Sequence, residues 1–367
     1  MRIAYVLTSL GVGGAERQVV TLAERMEARG HVVSLVVLRP CQPEEWSTTI
    51  PVVHLDMYKT PASLLTGLGN AHRFLRVFRP DLIHSHTFPA NMAARLLRPL
   101  HPVPILSTIH NVYEGPWSRM LAYRLTDPLS RRTTAVSQAA AERYVRLKAV
   151  PERKCLVLNN GIDTAEFEPS PGGRTHVRAQ MGVQEEFVWL AAGRIVPAKD
   201  YPNLLRAFAQ VHAELSAARL WVAGEAVGPE AVAVQALAAG LDIGGSVSWL
   251  GLRRDLPALL DAADGFVLAS AWEGMPLVVG EAMAMEKPVV ATDVGGVREL
   301  VGTSGAIVPA RSPEGLAQAM LTMMRITPEA RHILGREARE RIATCFNMDA
   351  KADEWEALYR TVAAQKI

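Results

Sequence analysis

The feature that most constrains this chain is a rhythm. Short β-branched apolar runs alternate with stretches of helical period from the first residue almost to the last. Runs such as RIAYVLTS, HVVSLVVL, VVHLD, LIHSH, PILSTIH, TTAVS and KCLVLNNG in the first half lack the polar alternation of a half-exposed strand. So do FVWLAAGRI, RLWVAGE, VSWLG, GFVLAS, PVVAT and GAIVP in the second. Strands apolar on both faces belong in parallel sheets covered by helices on either side. Each half therefore reads as a doubly wound α/β domain. Between them, NNGIDTAEFEPSPGG (Asn159 to Gly173) is rich in Gly, Pro and acid and keeps no apolar period, which marks a linker. The tail from Asp349 to Ile367 reads as an amphipathic helix. The expected domains are 1–163 with 350–367, and 164–349.

Length agrees, since 367 residues exceed what one core usually fills. The longest apolar runs fall far short of the ~18 residues that span a bilayer. The N-terminus runs as a strand straight into a glycine loop, so it reads as fold and not as a signal peptide. Three cysteines, Cys41, Cys155 and Cys345, stand far apart without a CxxC pair, which suits a reducing cytoplasm and suggests neither a disulfide framework nor a thiolate metal site. The near-neutral total hides an asymmetry: residues 1–163 hold 20 Lys and Arg against 12 Asp and Glu, and the remainder 19 against 25. A basic first half attracts phosphates or an anionic membrane, though uneven surface composition gives the same count.

Open α/β sheets bind ligands beyond the carboxyl ends of their strands, so two such domains facing each other would share a cleft there. Three loops after strands carry suitable chemistry. The first strand ends in Gly11-Val12-Gly13-Gly14-Ala15-Glu16 before a helix, a turn that lets an anion approach backbone amides. Glu16 stands where a dinucleotide fingerprint would place its third glycine, so an NAD site is not expected. The competing reading is a tight turn with Glu16 capping the helix. After FVWLAAGRI come Arg194 and Lys199, a planar fork of donors and a mobile point charge that suit a diphosphate. After GFVLAS come Glu273 and Glu281, eight residues apart. Pro276 at a helix start puts Glu273 in the loop and Glu281 on the second turn, among apolar neighbours that would bury it. The helix-start amides near Met275, Pro276, Leu277 and Val278 would face phosphate.

Taken in order along the chain, the GGAE loop, the NGID hinge (Asn160 to Asp163), GR-x4-K (Arg194, Lys199), Glu-x7-Glu (Glu273, Glu281) and GGVREL (Gly295 to Leu300) resemble the retaining GT-B glycosyltransferases of family 4. The resemblance covers essentially the whole chain. It implies transfer of a hexose or N-acetylhexosamine from a nucleotide sugar, usually UDP-linked, with the donor held mainly by the second domain. It also implies that the C-terminal helix crosses back to the first. Arg194 and Lys199 would bind the diphosphate, Glu273 the transferred sugar and Glu281 the ribose. Gly13 and Gly14 would lie by the phosphates and acceptor, and His110 by the donor sugar. Leu252 and Arg253, in the loop reaching Asp255, would line the base pocket. The acceptor expected is a glycan or lipid-linked molecule in cell-surface polysaccharide synthesis, without a cofactor.

His84 and His86, with Asp81 upstream, could pair with His110 around a metal, but no third ligand can be placed, so a metal is not expected. The sequence has no Asp-x-Asp, so fixed cations would stand in for a metal. Twelve cations between Arg73 and Arg98 and between Arg119 and Lys148, interleaved with Phe74, Phe78, Leu96, Leu97 and Trp117, suggest a peripheral face toward anionic membrane. Nucleic acid is not expected, because stacking residues are few and no reading motif is present. Two alternatives stay open: a sugar-nucleotide epimerase or phosphorylase of the same fold, and a non-catalytic nucleotide-sugar-binding protein.

Overall fold

The computed structural model describes residues 1–11, 13–40, 48–170 and 172–364, so Val12 of the glycine turn and Cys41 lie outside it. The chain divides into two units. Met1–Gly161 with the segment from Met348 onward form the first, and Ile162–Asn347 the second. Both boundaries fall two residues earlier than the sequence suggests. The reason is local: Ile162 N–H donates to Phe346 O at 2.7 Å, and Ile162 bridges Asn347 in parallel, so both crossings are tied into the second unit.

The first unit holds one sheet of seven strands: β1 (Arg2–Leu7), β2 (Val32–Val37), β3 (Val52–His54), β4 (Leu82–His86), β5 (Ile105–Ile109), β6 (Arg132–Ala135) and β7 (Cys155–Val157). Its order is β3-β2-β1-β4-β5-β6-β7, and all pairs are parallel. The second holds β8 (Val188–Ala192), β9 (Arg219–Ala223), β10 (Val247–Gly251), β11 (Gly265–Leu268), β12 (Val289–Thr292) and β13 (Ala306–Val308). Its order is β10-β9-β8-β11-β12-β13, again all parallel. Each sheet has one place where the strand order reverses, between β1 and β4 and between β8 and β11. The loops part there, and a crevice opens beyond the carboxyl ends.

The two interiors are filled differently. Around β8 the core is apolar, built on Trp189, Leu204, Leu220 and Phe208. Gly265 admits the Trp189 ring: a Cβ on it would stand 2.7 Å from Cζ3. The middle of the first sheet instead buries polar side chains that satisfy one another. Thr108 Oγ1 bonds His84 Nε2 at 2.7 Å and Thr134 Oγ1 at 2.6 Å, and Ser85 donates to Asn91 Oδ1 at 2.7 Å. The helix Met348–Ala364 completes this unit, setting Trp355, Tyr359 and Val362 into the core of Ile3, Tyr5 and Leu106. Tyr359 Oη meets Tyr5 Oη at 3.0 Å and His84 Nδ1 at 2.7 Å. Salt bridges from Arg25 to Asp349 and from Arg29 to Asp353 fix its register.

One expectation about the arginine row fails here. Arg95 is fully buried, not part of a surface face. Its guanidinium donates to Ser107 Oγ, Tyr123 O, Thr126 Oγ1 and Thr133 Oγ1 at 3.1 to 3.2 Å, so this charge is spent on holding the helix Phe88–Leu97 to the sheet. Leu97 is buried as well.

Candidate active site

At the reversal point of the second sheet, three loops are stitched together through the main chain. Gly193 N–H donates to Ala223 O (2.8 Å), Ile195 N–H to Glu225 O (3.0 Å), and Gly224 N–H to Gly251 O (2.8 Å). The approach is so close that a Cβ on Gly224 would stand 1.9 Å from Gly193 O. Gly193 itself has φ +145, open to glycine alone without strain. The chain then makes a short turn, Pro197–Lys199, and Asp200 adopts a left-handed φ of 45° while its carboxylate caps the helix Tyr201–Glu214. The Tyr201 hydroxyl donates back to Gly193 O at 2.6 Å.

This bracing aims Lys199 at the other side of the reversal. Lys199 Nζ lies 2.7 Å from Glu273 Oε1, and Ser270 Oγ donates to the same oxygen at 2.7 Å. The loop bearing Glu273 is also held through its main chain. Ala271 N–H donates to Ala198 O (2.8 Å) and Gly296 N–H to Gly274 O (2.7 Å). Gly295, with φ +55, leaves no room for a side chain, since a Cβ would stand 2.3 Å from Glu273 O. Glu273 is 9% exposed and Lys199 is partly buried, so the pair is largely withdrawn from water and its attraction is weakly screened. Burial and the charge of Glu273 together push the Tyr201 phenol up.

The other expected residues surround this pair to differing degrees. Arg194 is exposed and, among the described residues, bonded to neither Lys199 nor Glu273. The helix Leu277–Ala284 starts one residue after Pro276, so Leu277 and Val278 lead its first turn at the positive end of the helix dipole, with Met275 buried just before. Glu281 sits on the second turn and is 4% exposed. In the loop after β10, Arg253 forks onto Asp255 at 2.7 and 2.5 Å, while Leu252 is exposed.

The first unit's edge combines hydroxyls and imidazole rings with one carboxylate, Glu16. At its reversal point Thr8 Oγ1 and Thr87 Oγ1 share a hydrogen bond of 2.7 Å, and Thr87 takes φ 68, an unusual strain for a β-branched residue. Gly13 caps the helix that begins at Gly14, and the Glu16 carboxylate folds back over it: a Cβ on Gly13 would meet Oε2 at 2.4 Å. An anion over Gly13 would therefore lie close to the Glu16 carboxylate. His84 and His86 lie on one face of β4, as period two predicts, with ring centroids 3.9 Å apart. His84 spends both nitrogens, on Tyr359 and Thr108. His86 Nδ1 reaches His110 Nε2 at 3.0 Å, at the end of β5. Burial lowers the His110 pKa to about 4, which leaves the ring neutral at pH 7.

Sequence reasoning missed Glu114. Its Oε1 accepts from the His110 N–H (3.3 Å) and its Oε2 from Tyr123 Oη (2.9 Å), while Arg119 donates to its carbonyl and stacks 4.8 Å over Phe88. Burial raises its pKa to about 7. A lone acid five residues beyond the end of β5, inside HNVYEGP, is the available signal. Beyond this loop, the helix Trp117–Thr126 exposes Trp117, Leu121 and Leu125 along one side, with Arg124 among them.

Comparison with known proteins finds a glycosyltransferase family model in each half of the chain. The model of the Glycosyltransferase Family 4 family matches residues 12–166, and that of the Glycosyl transferases group 1 family matches 186–325. The D-inositol 3-phosphate glycosyltransferase of Geodermatophilus obscurus is 30% identical over 400 residues, covering 97% of this chain and 86% of that protein. The chain belongs to the GT-B glycosyltransferases. Its fold is that of Anabaena HepE in complex with UDP-glucose (TM-score 0.88, 21% identity, 98% of this chain and 100% of that one). It is also that of WaaG, a glycosyltransferase involved in lipopolysaccharide biosynthesis (TM-score 0.76, 17% identity, 97% and 99% covered). Within this glycosyltransferase, the second unit sets an ion pair at its reversal point, and the first sets hydroxyls, neutral imidazole and the Glu16 carboxylate at its own.

Proposed function

We propose that this glycosyltransferase takes a hexose or N-acetylhexosamine from a UDP-sugar, with retention and without a metal, and passes it to a glycan or lipid-linked hydroxyl in cell-surface polysaccharide synthesis. The observation that carries the reading is Lys199, held 2.7 Å from Glu273 by a braced turn, with Arg194 exposed five residues earlier in the same loop. As the bond between the sugar's anomeric carbon and the diphosphate breaks, negative charge grows on the leaving phosphate. Cations already fixed in place stabilise that charge without reorganising. Glu273 shares Oε1 between Lys199 and Ser270, so it serves as an orienting acceptor for sugar hydroxyls more readily than as a nucleophile. The acceptor oxygen then bonds the same face of the anomeric carbon, and its proton passes to the departing phosphate oxygen. Glu281, buried, would accept from the ribose hydroxyls, and Leu252 would lie against the base. No cofactor is required in this scheme.

The stripe of Trp117, Leu121 and Leu125 around Arg124 favours an acceptor presented at an anionic membrane, at its cytoplasmic side. The names of the inositol-phosphate relatives favour a second reading, a phosphorylated polyol free in solution. A thermal-shift panel of UDP-, GDP- and ADP-sugars, run with a chelator, tests the donor: UDP-sugars should raise the melting temperature, because they bind only the folded state. Arg194→Ala should leave melting unchanged in the absence of ligand and lower kcat about 100-fold. Full turnover by Arg194→Ala, or loss of turnover on chelation, overturns the assignment.

A further inference from the structure

His86 and His110 share one hydrogen bond, Nδ1 to Nε2 at 3.0 Å, and either ring could be its donor. The atoms left over decide which one is. His86 Nε2 is buried and has no partner among the described residues. If His110 donated, a neutral His86 would have to carry its single proton on Nε2, leaving a buried N–H without an acceptor. If His86 donates from Nδ1, what remains at Nε2 is an unused lone pair. A buried orphan donor costs about 1 to 3 kcal/mol and is rare, whereas an under-used acceptor is tolerated more often. Both rings are neutral, because burial lowers His86 well below the usual imidazole range and His110 to about 4. No third, charged arrangement competes.

His110 is then left with its own proton on Nδ1, and that nitrogen, on a half-buried residue, is bonded to no described residue. The loop is held in this pose from behind by Glu114, which accepts the His110 main-chain N–H. We infer that His86 is a positioning residue that locks His110 as the Nδ1–H tautomer, making it a hydrogen-bond donor to a substrate oxygen and unable to act as a general base. The imidazole has one lone pair, and His86 fills it. The acceptor's proton must leave by another route, which agrees with its transfer to the departing phosphate. The identity of the substrate oxygen rests on the glycosyl-transfer reading above; the tautomer does not.

The test is long-range ¹H–¹⁵N NMR on the full chain with ¹⁵N-labelled histidine, assigning His110 by its absence in His110→Gln. The expected spectrum shows a protonated Nδ1 and an unprotonated Nε2 on His110 between pH 6 and 8. In His86→Phe the ring should move toward the Nε2–H form, with kcat falling roughly tenfold and KM little changed. In His86→Asn, whose amide nitrogen can stand near the lost Nδ1, the Nδ1–H form and most of kcat should return. A parent spectrum with His110 protonated on Nε2 overturns the inference, and needs no variant to fold. An unaltered tautomer in His86→Phe overturns it too, as does full activity despite a switched tautomer. If instead the spectra are as expected and no nucleotide sugar raises the melting temperature, it is the glycosyl-transfer reading that falls.

Discussion

The two sheets share a strand order and a reversal point, yet they arm that point in opposite ways. Beyond β8 and β11 stand a lysine and a glutamate in contact, clamped by main-chain bonds and two glycines with no room for a side chain. Beyond β1, β4 and β5 stand two threonines, two neutral histidines, the Glu16 carboxylate and a second acid whose proton is lost only near pH 7. The fold supplies the crevice in both, and the loops decide whether it handles charge. A leaving diphosphate needs fixed cations, while an attacking hydroxyl needs orientation without a competing charge.

Breaking the charged edge should have the largest effect. Lys199→Ala or Glu273→Ala leaves its partner uncompensated, at a cost of about 2 to 3 kcal/mol after allowing for partial exposure, and should lower kcat by about 10² to 10³. Lys199→Met combined with Glu273→Gln should recover most of the melting temperature and none of the activity. A double variant as unstable as the singles would refute the view that the pair's stability cost is electrostatic. Gly295→Ala comes next, at roughly 2 kcal/mol, because the new Cβ meets the carbonyl of Glu273 and the φ of +55 is strained for alanine. It should also reduce kcat by displacing Glu273, which chemical denaturation and a kinetic assay together would show.

The smallest effect tests the first unit's edge. Glu114 has a pKa raised to about 7 in the folded chain, against an ordinary value of 4.5, so the folded state holds a proton that the unfolded chain has lost. Its contribution to stability is therefore present below about pH 4.5 and declines as pH rises to about 7. Glu114→Gln removes that decline, so its melting temperature relative to the parent should climb between those pH values and level off above. A flat difference would mean that the carboxyl is ionised throughout.

Much of the fold was legible because parallel strands are buried on both faces and show as unbroken apolar runs. Even LIHSH reads as a strand, although its polar side chains need partners that sequence does not name. Lys199 and Glu273 could each be singled out from loop position and residue type. Their contact could not, since it depends on two loops 74 residues apart meeting at one reversal point. Arg95 misled for a related reason: a helical arginine in a basic stretch looks solvated, and only the hydroxyls of Ser107, Thr126 and Thr133 make a buried seat for it. The folding of Glu16 over Gly13 is likewise a rotamer, which the GGAE pattern leaves open.

The helix Met348–Ala364 has a consequence for biosynthesis. Trp355, Tyr359 and Val362 close the core of a unit whose strands leave the ribosome first. The portion synthesised earliest is thus finished last, and the hydroxyl that Tyr359 lends to His84 arrives only after the entire sugar-nucleotide half has been made. A premature stop just before Trp355 would spare every charged group of the second unit and still leave the first unit's sheet with an open seam.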